Sequence, residues 1–396
     1  GASLERADFA ADPNDDDAWR SSTEYGGTPG AAGIGPVVDI VVNEVLSHSD
    51  TDPTDSIELL NVSGGVVNLG GWFLSDSADN YRKYRIPDGT ALAPGEYLVF
   101  DEYDFNSSGG VDPDDFALDG AHGEEVWLMA ADSAGNLQRF VDHVEFGGAF
   151  NNESLGRWPD GQGELYPMAS MTFGAPNSGP RGAGVVLSEI MYNPGPPELD
   201  DLEFIEIHNR TAGAVDLTGW QVRKGADYDF DPGMTLPAGQ RLVILSFNPD
   251  KLENVARAAA FRTAYAIDES VVLVGGWTGN LSNGGERLEL QRPDTPPAEE
   301  PYYTPHVIED AVDYNDKAPW PVTPDGGGDS LHRNAGTAWG GDPLSWTAAA
   351  PSPGTGSDAR RGDATGDGQV DLDDFVILKQ HFGLSGMTQA EGDFNG

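Results

Sequence analysis

Residues 363–374 read Asp-Ala-Thr-Gly-Asp-Gly-Gln-Val-Asp-Leu-Asp-Asp. Side-chain oxygens fall at loop positions one, three and five: Asp363, Thr365 and Asp367. Gly368 stands at position six, where a chain wrapping an ion must turn sharply. Gln369 offers a backbone carbonyl at seven, Asp371 can act through water at nine, and Asp374 closes the loop at twelve. Oxygen donors at these intervals suit a hard cation, and Ca²⁺ is the expected cofactor. Phe375, Leu378 and Phe382 share one helical face with Gly383 as a stop, so a helix should leave the loop. A second loop begins at Gly392-Asp393-Phe394-Asn395-Gly396, with Asp393 and Asn395 as its first ligands.

Carboxylates offer the other chemistry. Glu44 and Glu58 recur as Glu189 and Glu206. Two carboxylates about 5–10 Å apart can share acid–base work. Because both halves of the chain carry the same pair, hydrogen bonding within a strand is the favoured reading. Three acidic clusters, Asp50/Asp52/Asp55, Asp112/Asp114/Asp115 and Asp200/Asp201/Glu203, follow no ligand spacing and read as solvated loop charge. The seven histidines form no His-Glu-x-x-His motif and pair with no Gly-x-Ser-x-Gly elbow. His48, His122, His143 and His208 are therefore read as turn or surface residues, and no catalytic residue is assigned. Trp72, Trp158, Trp220 and Trp320 sit beside Gly or Pro, which favours capping a core over stacking on sugars. The sequons at Asn61 and Asn209 occupy equivalent turns and are read as turn residues.

The elements that position these groups come in repeats. Ile57-Glu58-Leu59-Leu60-Asn61 and the later Leu69-Gly70-Gly71-Trp72 return 148 residues on, as Ile205 to Asn209 and Leu217-Thr218-Gly219-Trp220. A period of that length repeats whole domains. Each copy opens with an apolar run, Val37 to Leu46 or Val185 to Tyr192, and then alternates as half-buried strands do. Leu92-Ala93-Pro94-Gly95 and Leu236-Pro237-Ala238-Gly239 mark a turn into a strand. Further along, Glu125 to Met129 is matched with Glu286 to Leu290, and Asp142 to Phe146 with Asp310 to Tyr314. Residues 251–266 read as an inserted short helix. Each copy closes on a Ser-Leu-x-Arg phrase, at Ser154 and at Ser330, and a Pro/Gly-rich exit. A third Ser-Leu-x-Arg phrase stands at Ser3, so residues 1–30 are expected to be the tail of a preceding module.

Composition bounds the rest. The 396 residues carry a formal net charge of −44, with Gly 52 and Pro 28, which fits short strands and many turns. That charge repels nucleic acid and anionic lipid. With no cysteine, disulfides, thiolate metal sites and thiol catalysis are excluded. No run reaches the roughly 18 apolar residues of a membrane span.

The motifs Val42-Asn43-Glu44-Val45, Ile57 to Asn61, Leu69 to Trp72 and Leu92 to Gly95, repeated at Leu187 to Ile190, Ile205 to Asn209, Leu217 to Trp220 and Leu236 to Gly239, resemble the lamin tail domain family. The resemblance implies an immunoglobulin-like β-sandwich. It further implies a non-catalytic accessory module of secreted or surface bacterial proteins, often beside nucleases, phosphoesterases or a spore-coat kinase family. The loop and helix at the C-terminus resemble a type I dockerin, whose paired calcium hands bind cohesin modules. Thr365 departs from the usual Asn, and Leu372-Asp373 stands where that family often has small hydroxyl residues.

The expected fold is mainly β: tandem immunoglobulin-like sandwiches over residues 37–180 and 185–355, joined by Gly/Pro linkers near 178–184 and 351–358. An EF-hand-like segment, a dockerin with a truncated second repeat, occupies 359–396. The expected function is attachment outside the cell, with sandwiches for adhesion or spacing and a Ca²⁺-dependent hand for a cohesin-type partner or cell-surface component. The alternative is the accessory region of a secreted enzyme whose catalytic domain lies upstream.

Overall fold

The computed structural model describes residues 2–7, 18–49, 54–334, 336, 339–355, 375–377 and 379. It forms two compact units, residues 1–181 with 294–307, and residues 182–293 with 308–396. The candidate calcium ligands Asp363, Thr365, Asp367, Gln369, Asp371, Asp374, Asp393 and Asn395 lie outside the described residues. Residues 375–377 and 379, where a helix is expected, are helical.

In the first unit β1 (Leu4–Arg6) and β2 (Trp19–Ser21) form a hairpin. There follow β3 (Ile40–Leu46), β4 (Ser56–Asn61), β5 (Val67–Asn68), β6 (Phe73–Ser75), β7 (Tyr84–Arg85), β8 (Ala91–Leu92) and β9 (Tyr97–Asp101). A one-turn helix α1 (Glu102–Phe105) precedes β10 (Glu124–Ala131), β11 (Leu137–Phe146), β12 (Leu155–Arg157) and β13 (Leu165–Pro167). One sheet runs β13-β12-β3-β4-β9 and faces another, β11-β10-β6-β7. Ile40, Val42, Ile57, Leu59, Leu74, Val126, Leu128 and Val144 fill the space between them. Alternation places these residues inward, as a sandwich requires.

The second unit repeats this plan. It contains β14 (Val185–Met191), β15 (Phe204–Asn209), β16 (Val215–Asp216), β17 (Gln221–Lys224), β18 (Ala226–Asp229), β19 (Thr235–Leu236) and β20 (Arg241–Leu245). After β20 come α2 (Val255–Ala264), β21 (Leu273–Gly275) and β22 (Thr278–Gly279), then β23 (Gly285–Pro293), β24 (His306–Asn315), β25 (Ser330–Arg333) and β26 (Trp346–Ala349). Its sheets are β21-β20-β15-β14-β25-β26 and β22-β18-β17-β23-β24. The insertion is a helix as expected. Its Phe261 packs with Phe204, Val243, Leu245 and Leu273 in a satellite cluster on the outer face of the larger sheet.

Two local devices recur and explain the repeated sequence. Gly71 and Gly219 have φ of 86° and 76°, a region closed to most side chains. They turn the chain so that the Trp72 and Trp220 amides bond back to Leu69 and Leu217, seating both indoles in the cores. Each opening strand also carries a β-bulge: β3 slips register between Val42 and Glu44, and β14 between Leu187 and Glu189. Asn43 and Ser188 are the extra residues.

Two expectations need adjusting. The first strand starts at Ile40, three residues later than the apolar run from Val37. The match of Glu125–Met129 with Glu286–Leu290 is off by one. Met129 pairs with Phe73, just after Trp72, while Gln291 pairs with Gln221, just after Trp220. Trp127 therefore corresponds to Glu289, not Leu288. Since a one-residue shift exchanges the two faces of a strand, this changes what each outer face presents.

The stretch near 178–184 is held in place. Met168 bridges Pro180, and the Arg181 amide bonds to Pro167 at 2.8 Å. Among the described residues, no helix is long and apolar enough to cross a membrane.

Candidate functional site

The bulges set Glu44 opposite Glu58 and Glu189 opposite Glu206 across neighbouring strands. All four side chains are buried. They grip the chain that closes each module. In the first, Ser154 Oγ donates to Glu44 at 2.5 Å, the Thr172 amide and hydroxyl donate to Glu44 at 3.0 Å each, and the Gly174 amide donates to Glu58 at 2.5 Å. In the second, Ser330 Oγ donates to Glu189 at 2.6 Å, the Ser352 amide to Glu189 at 2.9 Å, and the Gly354 amide to Glu206 at 2.7 Å. The Ser of each Ser-Leu-x-Arg phrase and two amides of each Pro/Gly-rich exit are thereby fastened to one carboxylate pair. We call this arrangement a strap.

The arginine of the phrase ties the two sheets together. Arg157 donates to Asp142 at 2.9 Å, and Asp142 accepts the Val42 amide at 2.7 Å. Arg333 donates to Asp310 at 3.0 Å, and Asp310 accepts the Leu187 amide at 2.8 Å. Both aspartates sit on the long strand before the closing hairpin. β1 and β2 pair in the same hairpin form, with Arg20 bonded to Glu5 at 2.8 Å.

The modules differ in how they neutralise the strap. Asn43 Nδ2 donates to Glu58 at 2.9 Å and to Asp160 at 3.1 Å, and the Tyr97 hydroxyl donates to Asp160 at 2.6 Å. In the second module Ser188 Oγ donates to Glu206 at 2.6 Å, and Arg241, standing where Tyr97 does, donates at 2.7 Å. Burial pushes Glu58 up to about 7, with the charges of Glu44 and Asp160 adding to the rise against the Asn43 and Gly174 hydrogen bonds. Burial also raises Glu44. Glu189 is raised by burial and then by the charge of Glu206. His332, 2.9 Å from Ser330 Oγ, is pushed down to about 4 by burial. Burial thus favours the neutral ring beside Glu189.

A general acid needs a carboxyl that substrate can reach. These carboxyls are sealed in and already accept amides and hydroxyls, which suits a fastening role. The sequence motifs legible as recurrent polar residues are all accounted for this way. Asn61 Nδ2 donates to Gly65 O and Leu92 O while its Oδ1 accepts from Ser63; Asn209 does the same with Gly213, Leu236 and Thr211. Both are buried, as the turn reading requires. Trp72, Trp220 and Trp320 are core residues, while Trp158 is half-buried beside Gly179.

The described members of the acidic clusters each have partners of their own. Asp55 is buried, accepts the Leu118 amide at 2.9 Å and is pushed up to about 6, chiefly by burial. Asp115 accepts Gly110 and Ser108 amides, and Asp201 is paired with Arg257. Among the described residues no three His, Asp or Glu side chains are placed to hold a metal. Asp50 and Asp52 lie outside those residues. His48 Nδ1 contacts Ala149 O at 2.7 Å, and His122 contacts Asp119 at 2.9 Å.

One surface is legible only through the corrected register. Trp127 stands opposite His143 on β11, with ring centroids 3.7 Å apart. With Tyr81, Phe140, Val38 and residues 21–23 they line a cavity of about 430 Å³. Residues 23–25 run along the edge of β11, the Tyr25 amide bonding to Gln138 and the Phe140 amide to Thr23, each at 2.9 Å. The same face of the second module carries Gln221, Gln291, Glu289 and Arg287 in polar contacts.

Two sandwiches, a repeated bulge and a repeated carboxylate strap define a tandem β-sandwich protein. The lamin tail domain family model matches residues 35–148 and 179–293, more than half of the chain, and the chain belongs to that family. The matched stretches hold all four strap glutamates and end before Ser154 and Ser330. No curated protein and no solved structure matches the chain.

Proposed function

We propose that this chain is a non-catalytic part of a secreted or cell-surface bacterial multi-module protein. Its sandwiches serve adhesion or spacing, and its C-terminal segment is a Ca²⁺-dependent dockerin that attaches to a cohesin-type partner. The observation that supports this most is the strap. The polar residues that recur in both modules fasten the closing segments, and substrate-facing acids are not among them. The cation part rests on the donor spacing from Asp363 to Asp374, and the N-terminal hairpin, built like the closing hairpins, fits an array of such modules.

Two assays test it. The full chain is screened on phosphodiester and glycoside substrates with Ca²⁺; the expected result is no turnover, and turnover abolished by Glu58→Gln or Glu206→Gln overturns the reading. Calorimetric titration with Ca²⁺ should show saturable binding, without full helix formation, that is lost in Asp363→Ala; no binding in the wild-type chain overturns the docking part.

A further inference from the structure

The two modules differ at one sheet edge. In the second, β20 is followed by α2 and by β21, which pairs with it in parallel: Val243 lies beside Leu273, Ile244 beside Val274 and Leu245 beside Gly275. The Val243 amide donates to Val272 O at 3.2 Å, and the Gly276 amide to Leu245 O at 2.9 Å. The equivalent strand of the first module is β9, since Glu58 faces Val99 as Glu206 faces Val243. Among the described residues, nothing pairs with the outer side of β9.

The backbone direction there is fixed. The Asn61 amide bonds to Glu96 O at 3.1 Å and the Glu102 amide to Asp55 O at 2.9 Å. In an antiparallel pair the bonded positions alternate, so Leu98 and Phe100 bond to β4. Val99 turns its N–H and C=O outward, as Val243 does toward β21. Tyr97 faces the same way, while the Asp101 amide already donates to Asp104; the outward groups of Tyr97 and Val99 are a short template for another strand.

Charge says what covers it. Glu96 and Asp104 flank the edge and are exposed, with Asp101 and Glu102 half-exposed. Between Arg85 and Arg139 the sequence holds no lysine or arginine. Two copies pairing edge to edge would set these acids against one another, which is destabilising. We propose that β9 is a strand-addition site for an extended segment of a partner protein, apolar at its centre and flanked by lysine or arginine. That segment takes the place β21 fills in the second module. This deepens the attachment reading and rests on it.

The test uses the full chain and a fluorescent peptide, Lys-Lys-Leu-Val-Gly-Val-Lys-Lys, with the same core flanked by glutamates as control. Anisotropy reports affinity, and amide hydrogen exchange reports place. The expected result is binding of the basic peptide alone, slowed exchange at Val99, and no change at Val243. Val99→Pro removes the outward donor without touching a bond to β4 and should weaken binding about tenfold. Glu96→Gln with Asp104→Asn removes two charges yet keeps the oxygens that accept the Ala93 and Asp101 amides; it should weaken binding as well and guards against misfolding of the proline variant. No binding, binding indifferent to both variants, or protection around Trp127 instead would overturn the proposal. So would protection of Val99 in the free protein that rises with its concentration, which assigns the edge to a second copy. A failure here leaves the turnover screen unaffected, and turnover in that screen is read without any peptide.

Discussion

Arg241 donates to Glu206 at 2.7 Å inside the second module, at the strand position that Tyr97 holds in the first. Glu206 is fully buried and Arg241 nearly so. Removing the cation leaves a sealed carboxylate with only the Ser188 hydroxyl and the Gly354 amide to offset its charge, which costs about 3–5 kcal/mol. Arg241→Met should therefore lower the stability of the second unit by that amount in urea denaturation. Adding Glu206→Gln should recover part of the loss, because the uncompensated charge goes with it.

The first module has no cation at this place, and its stability depends on pH through Glu58. Glu58 is raised from 4.5 to about 7 in the folded chain. The native state then binds more protons than the unfolded state between those values. The stabilisation is full below about 4.5 and is lost as pH rises through about 7. The first unit should unfold at lower urea concentration at pH 8 than at pH 5.5. Asp55, raised to about 6, acts in the same direction. Glu58→Gln should flatten the slope through pH 7, and an unchanged slope would refute the assignment.

Ser154 and Ser330 each give a hydroxyl proton to a buried carboxylate. Ser330→Ala takes away one donor and leaves Glu189 under-satisfied, at about 1–3 kcal/mol. Ser154→Ala should cost a similar amount in the first unit. Thermal unfolding measures both, and a shift near zero in either module would mean that the phrase is not part of the strap.

Trp127 and His143 stack on the outer face of the first sandwich, in an aromatic cluster with Tyr81 and Phe140. Stacked pairs of this kind contribute about 0.5–1.5 kcal/mol beyond their burial. Trp127→Ala should destabilise the first unit and speed exchange at the Tyr25 and Phe140 amides, which join residues 23–25 to β11. Exchange there that ignores the substitution would separate the aromatic face from the docking of that segment.

The sandwiches were readable because alternation at Ile57/Leu59 and Ile205/Ile207 survives intact, and because glycine is needed before Trp72 and Trp220. The glutamate pairs were readable too, and so was their part in hydrogen bonding on the strands. Their partners were not. Gly174 and Gly354 contribute backbone amides, which every residue but proline owns, so no side-chain type announces them. Arg241 and Tyr97 hold one position with different chemistry, and only the two strand registers reveal the equivalence. The aromatic face was hidden by the one-residue slip at Trp127, where loop insertions break the offset between modules.

The central claim is that Glu58 and Glu206 fasten chain rather than process substrate. It is tested most directly by amide exchange in Glu58→Met, which keeps volume and removes the acceptor. The account predicts that the Gly174 amide, protected in the wild-type chain, exchanges freely in the variant while Leu59 stays protected. Gly174 exchanging at one rate in both proteins would contradict it.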